Sequence, residues 1–128
     1  MDNLLGSIKI SEEIIQDVRK NIKNVDDFGK KIGEHAGQDT TELLGIIMLG
    51  AIVLEASDIH IEPQKDRIRL RMRLDGILRD ITFFQENIYK NLLSRLKLLS
   101  KIKLNITEKP QDGRFTIGLE DSLIEIRV

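Results

Sequence analysis

The sequence runs to 128 residues, 41% of them hydrophobic and 32% charged, with a formal net charge of −1; that length supports one domain with a single core. Near-neutrality excludes a partner recruited by overall charge, nucleic acid first among them, and leaves only local charge segregation to work with. The absence of cysteine excludes disulfides, thiol nucleophiles and cysteine–zinc sites, and suits an intracellular, reducing compartment.

Residues 1–10 show no regular period and are expected to be loose; they also lack the charged, apolar and small-residue succession of a secretory signal. Ser11 predicts an N-cap for a helix to about Asn21 or Asn24, with Ile14, Ile15, Val18 and Ile22 on one face. Asn24 to Gln38 holds three glycines and many charges, the composition of a linker or a short frayed helix. Gly29-Lys30-Lys31 invites comparison with a phosphate loop, but the Walker A pattern is absent there and everywhere else.

Asp39 opens the next helix, with Glu42 three residues on in a near capping box that suits the positive end of the helix dipole. Every residue from Leu43 to Leu54 is apolar or glycine. That run is too short for a bilayer, which needs about 20 residues. A helix apolar all round is buried on more than one side. Its outer face has two readings: burial inside the domain, or self-association and partner binding.

The stretch Ala56 to Asp80 organises the rest. Arg67, Arg69, Arg71 and Arg73 occupy one parity and Ile68, Leu70, Met72 and Leu74 the other. A strand with that alternation has one apolar face and one guanidinium face. Asp75-Gly76 then marks a type I′ hairpin turn into a second apolar run, Ile77 to Phe84. Upstream, Ile59 and Ile61 alternate with Asp58, His60 and Glu62, so three strands follow one another.

Gln85 to Leu104 has helical spacing, with Ile88, Leu92, Leu96 and Leu99 in a stripe and Lys90, Lys97 and Lys101 on another, solvated face. Asn105 to Asp112 reads as a loop. Strands follow at Arg114–Leu119 and Leu123–Val128, joined by Glu120-Asp121-Ser122. The coarse order α-α-β-β-β-α-β-β describes an α+β domain whose largely antiparallel sheet is covered by helices.

Few chemistries survive this composition. His35 and His60 are the only histidines, without HExxH spacing, so no metal site is expected. His60 reads as a local hydrogen bonder rather than a catalyst. There is no nucleophile elbow, and the scattered carboxylates propose no acid/base pair. The arginines remain. A guanidinium fork matches phosphate or carboxylate oxygens bidentately where lysine cannot, and the strand uses arginine only. Specific anion recognition is one reading; an exposed face that alternates to stay soluble is the other.

Four motifs in order carry a resemblance: Ala56-Ser57-Asp58-Ile59-His60-Ile61-Glu62-Pro63, then Arg71-x-Arg73-x-Asp75-Gly76-x-Leu78-Arg79, then Pro110-Gln111-Asp112-Gly113-Arg114, and Ile126-Arg127-Val128. From about Thr41 to Val128 the chain resembles the secretion ATPase family of type II secretion and type IV pilus assembly, at its second N-terminal, PAS-like domain. One departure stands out: Glu108-Lys109 runs straight into Pro110, where the family usually has one or two further residues.

The resemblance implies a division into an N-terminal helix and linker at 1–38 and a PAS-like domain at 39–128, ahead of a RecA-like motor domain absent from this sequence. The chain would be a fragment without catalysis of its own, binding no cofactor alone, while the full-length motor uses ATP and Mg²⁺. By matched position Arg71, Arg73, Arg79, Arg114 and Arg127 would face the phosphates; Arg67 and Arg69 fall outside the motif and are expected in solvent. Asp75, Gly76, Asp112 and Gly113 would form turns, and Ser57, Asp58, His60 and Glu62 would serve the domain contact. Implied partners are the motor domain of the same or a neighbouring subunit, a hexameric ring, and platform proteins at the bacterial inner membrane, on its cytoplasmic side. No direct nucleic acid is expected, and self-association would run through helix 43–54. Outside the resemblance stand a freestanding anion- or nucleic-acid-binding module using the arginine strand with Lys90, Lys97 and Lys101, and a PAS-like ligand sensor with an enclosed pocket.

Overall fold

The structure, a computed structural model, describes residues 2–5, 8–102, 106–109, 111, 113–119 and 122–128. A hairpin of β1 (Asp2–Leu5) and β2 (Ile8–Ser11) precedes three helices, α1 (Glu12–Asn21), α2 (Val25–His35) and α3 (Thr40–Val53). Strands β3 (Asp58–Pro63), β4 (Ile68–Leu74) and β5 (Ile77–Phe84) come next. Helix α4 (Glu86–Ile102) leads to β6 (Ile106–Lys109), β7 (Arg114–Leu119) and β8 (Ser122–Arg127). Strands β3 to β8 make one sheet in the order β5-β4-β3-β8-β7-β6, antiparallel except where β3 pairs with β8. The α+β class and the helix-covered, largely antiparallel sheet are those the alternation predicts. Residues 103–105 and 120–121, the end of the helix expected over Gln85 to Leu104 with the start of the expected loop, and part of the last strand connection, lie outside the described residues.

Three segments depart from expectation. The described part of the first ten residues, 2–5 and 8–10, is not a loose start: β1 and β2 pair in register from Asp2↔Ser11 to Leu5↔Ile8, beside α3. Ser11 is therefore the last residue of β2, directly before α1. The expected loop Asn105–Asp112 contains β6, paired with β7 from Ile106↔Ile117 to Lys109↔Arg114. Its only buried residue is Ile106, so the signal for a strand lies in β7 and not in its own sequence.

The third is α2, where composition suggests a linker or a short frayed helix and the structure has a capped, packed helix of 11 residues. Asn24 caps it, its side-chain oxygen accepting from the Asp27 amide at 2.9 Å, with Asp26 and Asp27 in the first turn. Phe28 and Ile32, one turn apart, are fully buried. Two glycines permit the packing. A Cβ on Gly29 would collide with the Ile81 carbonyl of β5, and one on Gly50 of α3 would sit inside the Phe28 ring. Helix α2 is thus pressed between β5 and α3 at points where only glycine fits.

Helix α3 is capped by Asp39, whose carboxylate accepts from the Thr41 amide at 2.8 Å. Leu43 through Ala51 are all buried, because α1, α2, α4 and the β1–β2 hairpin all lie alongside. Burial of each such Leu or Ile is worth about 1.5–3 kcal/mol, and it leaves no open face over that stretch for the expected self-association through helix 43–54. The helix ends in a Schellman pattern. Ala56 N–H donates to the Ala51 carbonyl at 2.8 Å and Glu55 N–H to Ile52 at 3.1 Å, with Glu55 at φ 58.

Gly50→Ala is expected to destabilise the chain. Alanine gains about 1 kcal/mol of helix propensity over glycine, but overpacking against Phe28 costs about 1–3 kcal/mol. A raised urea midpoint would show that the helices do not meet this closely. Glu55→Gly, by contrast, should stabilise by roughly 1 kcal/mol, because a left-handed L-residue carries about that strain; an unchanged midpoint would contradict the Schellman end.

Candidate functional site

The face of the sheet turned away from the helices is where the charged residues collect. In β4, Ile68, Leu70 and Met72 are buried beneath the helices while Arg69, Arg71 and Arg73 point to the other side. Strand β3 does the same, with Ile59 and Ile61 buried and Asp58, His60 and Glu62 on the arginine side. Asp75 and Gly76, at φ 51 and φ 80, form the two-residue turn from β4 to β5, with Leu74 paired to Ile77. Positive φ at both positions is what a type I′ turn requires.

Register then assembles rows across the sheet. Arg71 lies opposite His60, His60 opposite Arg127 and Arg127 opposite Arg114, from β4 through β3 and β8 to β7. In the next row Arg73 lies opposite Asp58 and Asp58 opposite Glu125, and in another Arg69 faces Glu62. Arg71, Arg73, Arg114 and Arg127 therefore share one face. Arg79 does not join them. It pairs opposite buried Met72, on the other parity, and is exposed on edge strand β5.

Carboxylates hold these arginines, most often one for two. Glu62 Oε1 accepts from Arg69 Nε at 3.1 Å and Arg71 Nε at 3.0 Å, and Glu62 Oε2 from Arg71 Nη2 at 2.6 Å. His60 Nδ1 stands 3.5 Å from the same Oε2. Glu125 spans Arg127 Nη2 at 3.1 Å and Arg114 Nη1 at 3.5 Å. Arg73 donates through Nε to Asp58 at 3.2 Å and through Nη1 to the Gly76 carbonyl at 3.1 Å, tying the turn to β3. Ser57 Oγ donates to Asp58 at 3.0 Å. The Arg71 guanidinium, chiefly, with help from Arg69, holds the Glu62 carboxyl below its usual range, against an opposing push from burial.

Sequence reasoning misplaced Arg69 and did not single out Glu125. Arg69 is not free in solvent: only 29% of its side chain is exposed, and Glu62 engages it. Its register opposite Glu62 is a pairing fact that spacing within β4 does not carry. Arg67 does stay exposed, with its guanidinium 3.6 Å from the centre of the Phe83 ring. Glu125 alternates with buried Ile124 and Ile126, a visible signal, but only the β3–β8 pairing brings it to the site. Gly113 has φ 62 and its carbonyl accepts from Val128 N–H at 2.8 Å; Asp112, expected beside it, lies outside the described residues, as does Pro110.

Lys90, Lys97 and Lys101 are exposed on α4, whose Leu92, Leu96 and Leu99 enter the core on the opposite side of the sheet from the arginines. The two basic sets do not merge into one nucleic-acid track. Among the described residues no group of three His, Asp or Glu could hold a metal ion, and no helix is long and apolar enough to cross a membrane. The chemistry on offer is binding of an oxyanion by guanidinium groups.

Comparison with known proteins shows a family. A family model described as type II/IV secretion system protein matches residues 35–128. The type IV pilus assembly ATPase PilB of Myxococcus xanthus is 30% identical over 119 residues, covering 93% of this chain and 20% of that protein. The type II secretion system protein E of Dickeya dadantii is 35% identical over 95 residues, 72% of this chain and 19% of that protein. The protein transport protein HofB homolog of Escherichia coli K12 is 35% identical over 91 residues, 71% of this chain and 20% of that protein. The chain spans about a fifth of the length of these relatives.

The Glu62 pairing has a pH signature. A carboxyl held below its usual value of 4.5 takes up its proton later in the folded chain than in the unfolded one. Its contribution is complete above that value and drains away as pH falls through the lowered one. Solvent screening keeps it to about 1 kcal/mol or less. Glu62→Gln should therefore lower stability at neutral pH and flatten the acid limb of a stability–pH curve; an acid limb identical to wild type would remove Glu62 as a contributor.

Proposed function

The chain belongs to the type II/IV secretion system protein family, and on that footing we propose that it is the module of a secretion or pilus assembly ATPase that packs on a RecA-like motor domain and turns arginines toward ATP. Residues 39–128 form that module, and 1–38 contribute the elements that close its core. The motor lies in the same or a neighbouring subunit of a hexameric ring on the cytoplasmic side of the inner membrane, where it works with platform proteins. ATP and Mg²⁺ belong to the motor; the chain by itself supplies no turnover.

One observation carries this reading: Arg71, Arg73, Arg114 and Arg127 share a sheet face that, among the described residues, no helix covers. Their side chains keep between 24% and 48% of their surface exposed, Arg71 least and Arg127 most. Each is anchored by a carboxylate on a neighbouring strand or its own, so the guanidinium groups form a fixed array. A motor domain that closes over this face finds positive charge already placed. That is the useful arrangement for phosphoryl transfer, where negative charge spreads over the transferring oxygens and an added arginine is worth about 10³–10⁵ in rate. Ser57, Asp58 and His60 lie among these arginines and act on the contact through them. Arg79, on the other parity, takes a separate approach from the edge of β5.

The test uses the intact ATPase that carries this chain. Arg71→Ala and Arg73→Ala are expected to lower ATP turnover by about 10³-fold, with the melting transition retained and with the purified 128-residue chain inactive toward Mg-ATP. Wild-type turnover in both variants would remove the phosphate role.

A further inference from the structure

We propose that Glu62 is a positioning residue: it grips one edge of the Arg71 guanidinium so that the remaining edge is held ready for a phosphate oxygen. The inference rests on the ATPase reading above and deepens it. The geometry is specific. Glu62 takes Arg71 side-on, through Nε at 3.0 Å and Nη2 at 2.6 Å, which commits one long edge of the fork and leaves Nη1 with the second Nη2 hydrogen for another acceptor. Arg69 is held differently, through Nε at 3.1 Å and Nη2 at 3.0 Å on the single oxygen Oε1. One carboxylate thus meets two guanidinium groups, with His60 Nδ1 3.5 Å from its other oxygen. Asp80 Oδ1 reaches Arg69 Nη1 only at 4.0 Å, and the edge of the fork that Glu62 leaves uncommitted belongs to an Arg71 side chain that remains 24% exposed.

An arginine on its own samples many rotamers, and ordering it at the moment of reaction subtracts from what it can contribute. Glu62 removes that freedom in advance. It can do so because β3 and β4 fix Glu62 against Arg69, and His60 against Arg71, through backbone pairing. The sheet therefore places the Glu62 backbone, and Arg69 and His60 help to hold its carboxylate beside Arg71. Glutamine at this position has nearly the same shape. It replaces one acceptor oxygen with an NH₂ donor that repels an arginine N–H, so either the Oε1 or the Oε2 contacts must break. The loss should appear in the reaction more than in substrate binding, because orientation matters most where charge develops.

Four versions of the intact ATPase decide the matter: wild type, Glu62→Gln, Glu62→Asp and Arg71→Ala, each followed by steady-state ATP turnover and thermal melting. The 128-residue chain supplies a direct readout in the NMR signals of the Arg71 and Arg69 Nε–Hε groups. Glu62→Gln should reduce kcat by about 10-fold to 100-fold with KM within about twofold of wild type, and should shift or broaden the Arg71 Nε–Hε signal. Glu62→Asp, which keeps the charge but is one methylene short, should recover part of kcat. If Arg71→Ala collapses turnover while Glu62→Gln keeps wild-type kcat, the positioning role is wrong and the phosphate reading stands. If Arg71→Ala is itself without effect, the phosphate reading fails and the positioning role falls with it.

Discussion

A sheet covered by helices on one side only must satisfy two environments through one backbone, and the alternation of β4 is how this chain does it. Every second residue there is apolar and enters the core; every other one is arginine. Rows of like charge on neighbouring positions would repel, and the sheet answers by setting Asp58, Glu62 and Glu125 among them. The carboxylates are fewer than the guanidinium groups they serve. Glu62 meets two, Glu125 meets two and Asp80 stands 4.0 Å from Arg69, so each arginine of the face is held by a carboxylate while part of its surface stays exposed.

The apolar half of the same alternation creates the opposite problem. Ile59, Ile61, Leu70 and Met72 need a cover, and α3 provides it from a run with no polar face of its own. A helix of that kind would expose its far side unless something lay over it. The N-terminal third of the chain answers that need: α1, α2 and the β1–β2 hairpin close around α3. Glycines set the distances, since Phe28 rests on Gly50 and Gly29 on the backbone of β5. Stability of the core and openness of the arginine face are therefore linked. The helices and hairpin gather on one side of the sheet, and the arginine side is left uncovered.

That one-sidedness gives family membership a structural meaning. A module that is a fifth of its relatives' length carries the positive face, and the strand pairing that shapes the face also holds its arginines still. On the function proposed above, chemistry is left to a partner domain and charge placement is supplied by the sheet. Edge strand β5 adds its own feature. A register shift opposite Leu70 and Arg71 inserts Ile81, which is buried, and Asp80 comes opposite Arg71 on the charged side.

Much of this was legible in the residues alone. The period of two in β3 and β4, the Asp75-Gly76 turn, the capped apolar helix after Asp39 and the leucine stripe of α4 are local patterns, and local sterics and solvation are enough to decide them. What sequence misread was non-local. Helix α2 reads as a linker or a short frayed helix because glycines are common loop formers; Gly29 is instead a notch where a neighbour presses close, and only the packed neighbours reveal that. Strands β1, β2 and β6 are too short and polar to announce themselves, and exist because a partner strand completes their hydrogen bonds. The arginines were visible one by one, but the parallel pairing of β3 with β8, which sets Arg127 and Glu125 beside His60 and Asp58, joins residues more than sixty positions apart. By itself the sequence determined which side chains share a parity within each strand; the tertiary structure decided which strands lie side by side, because register between distant segments is chosen by the whole buried core and not by any one of them.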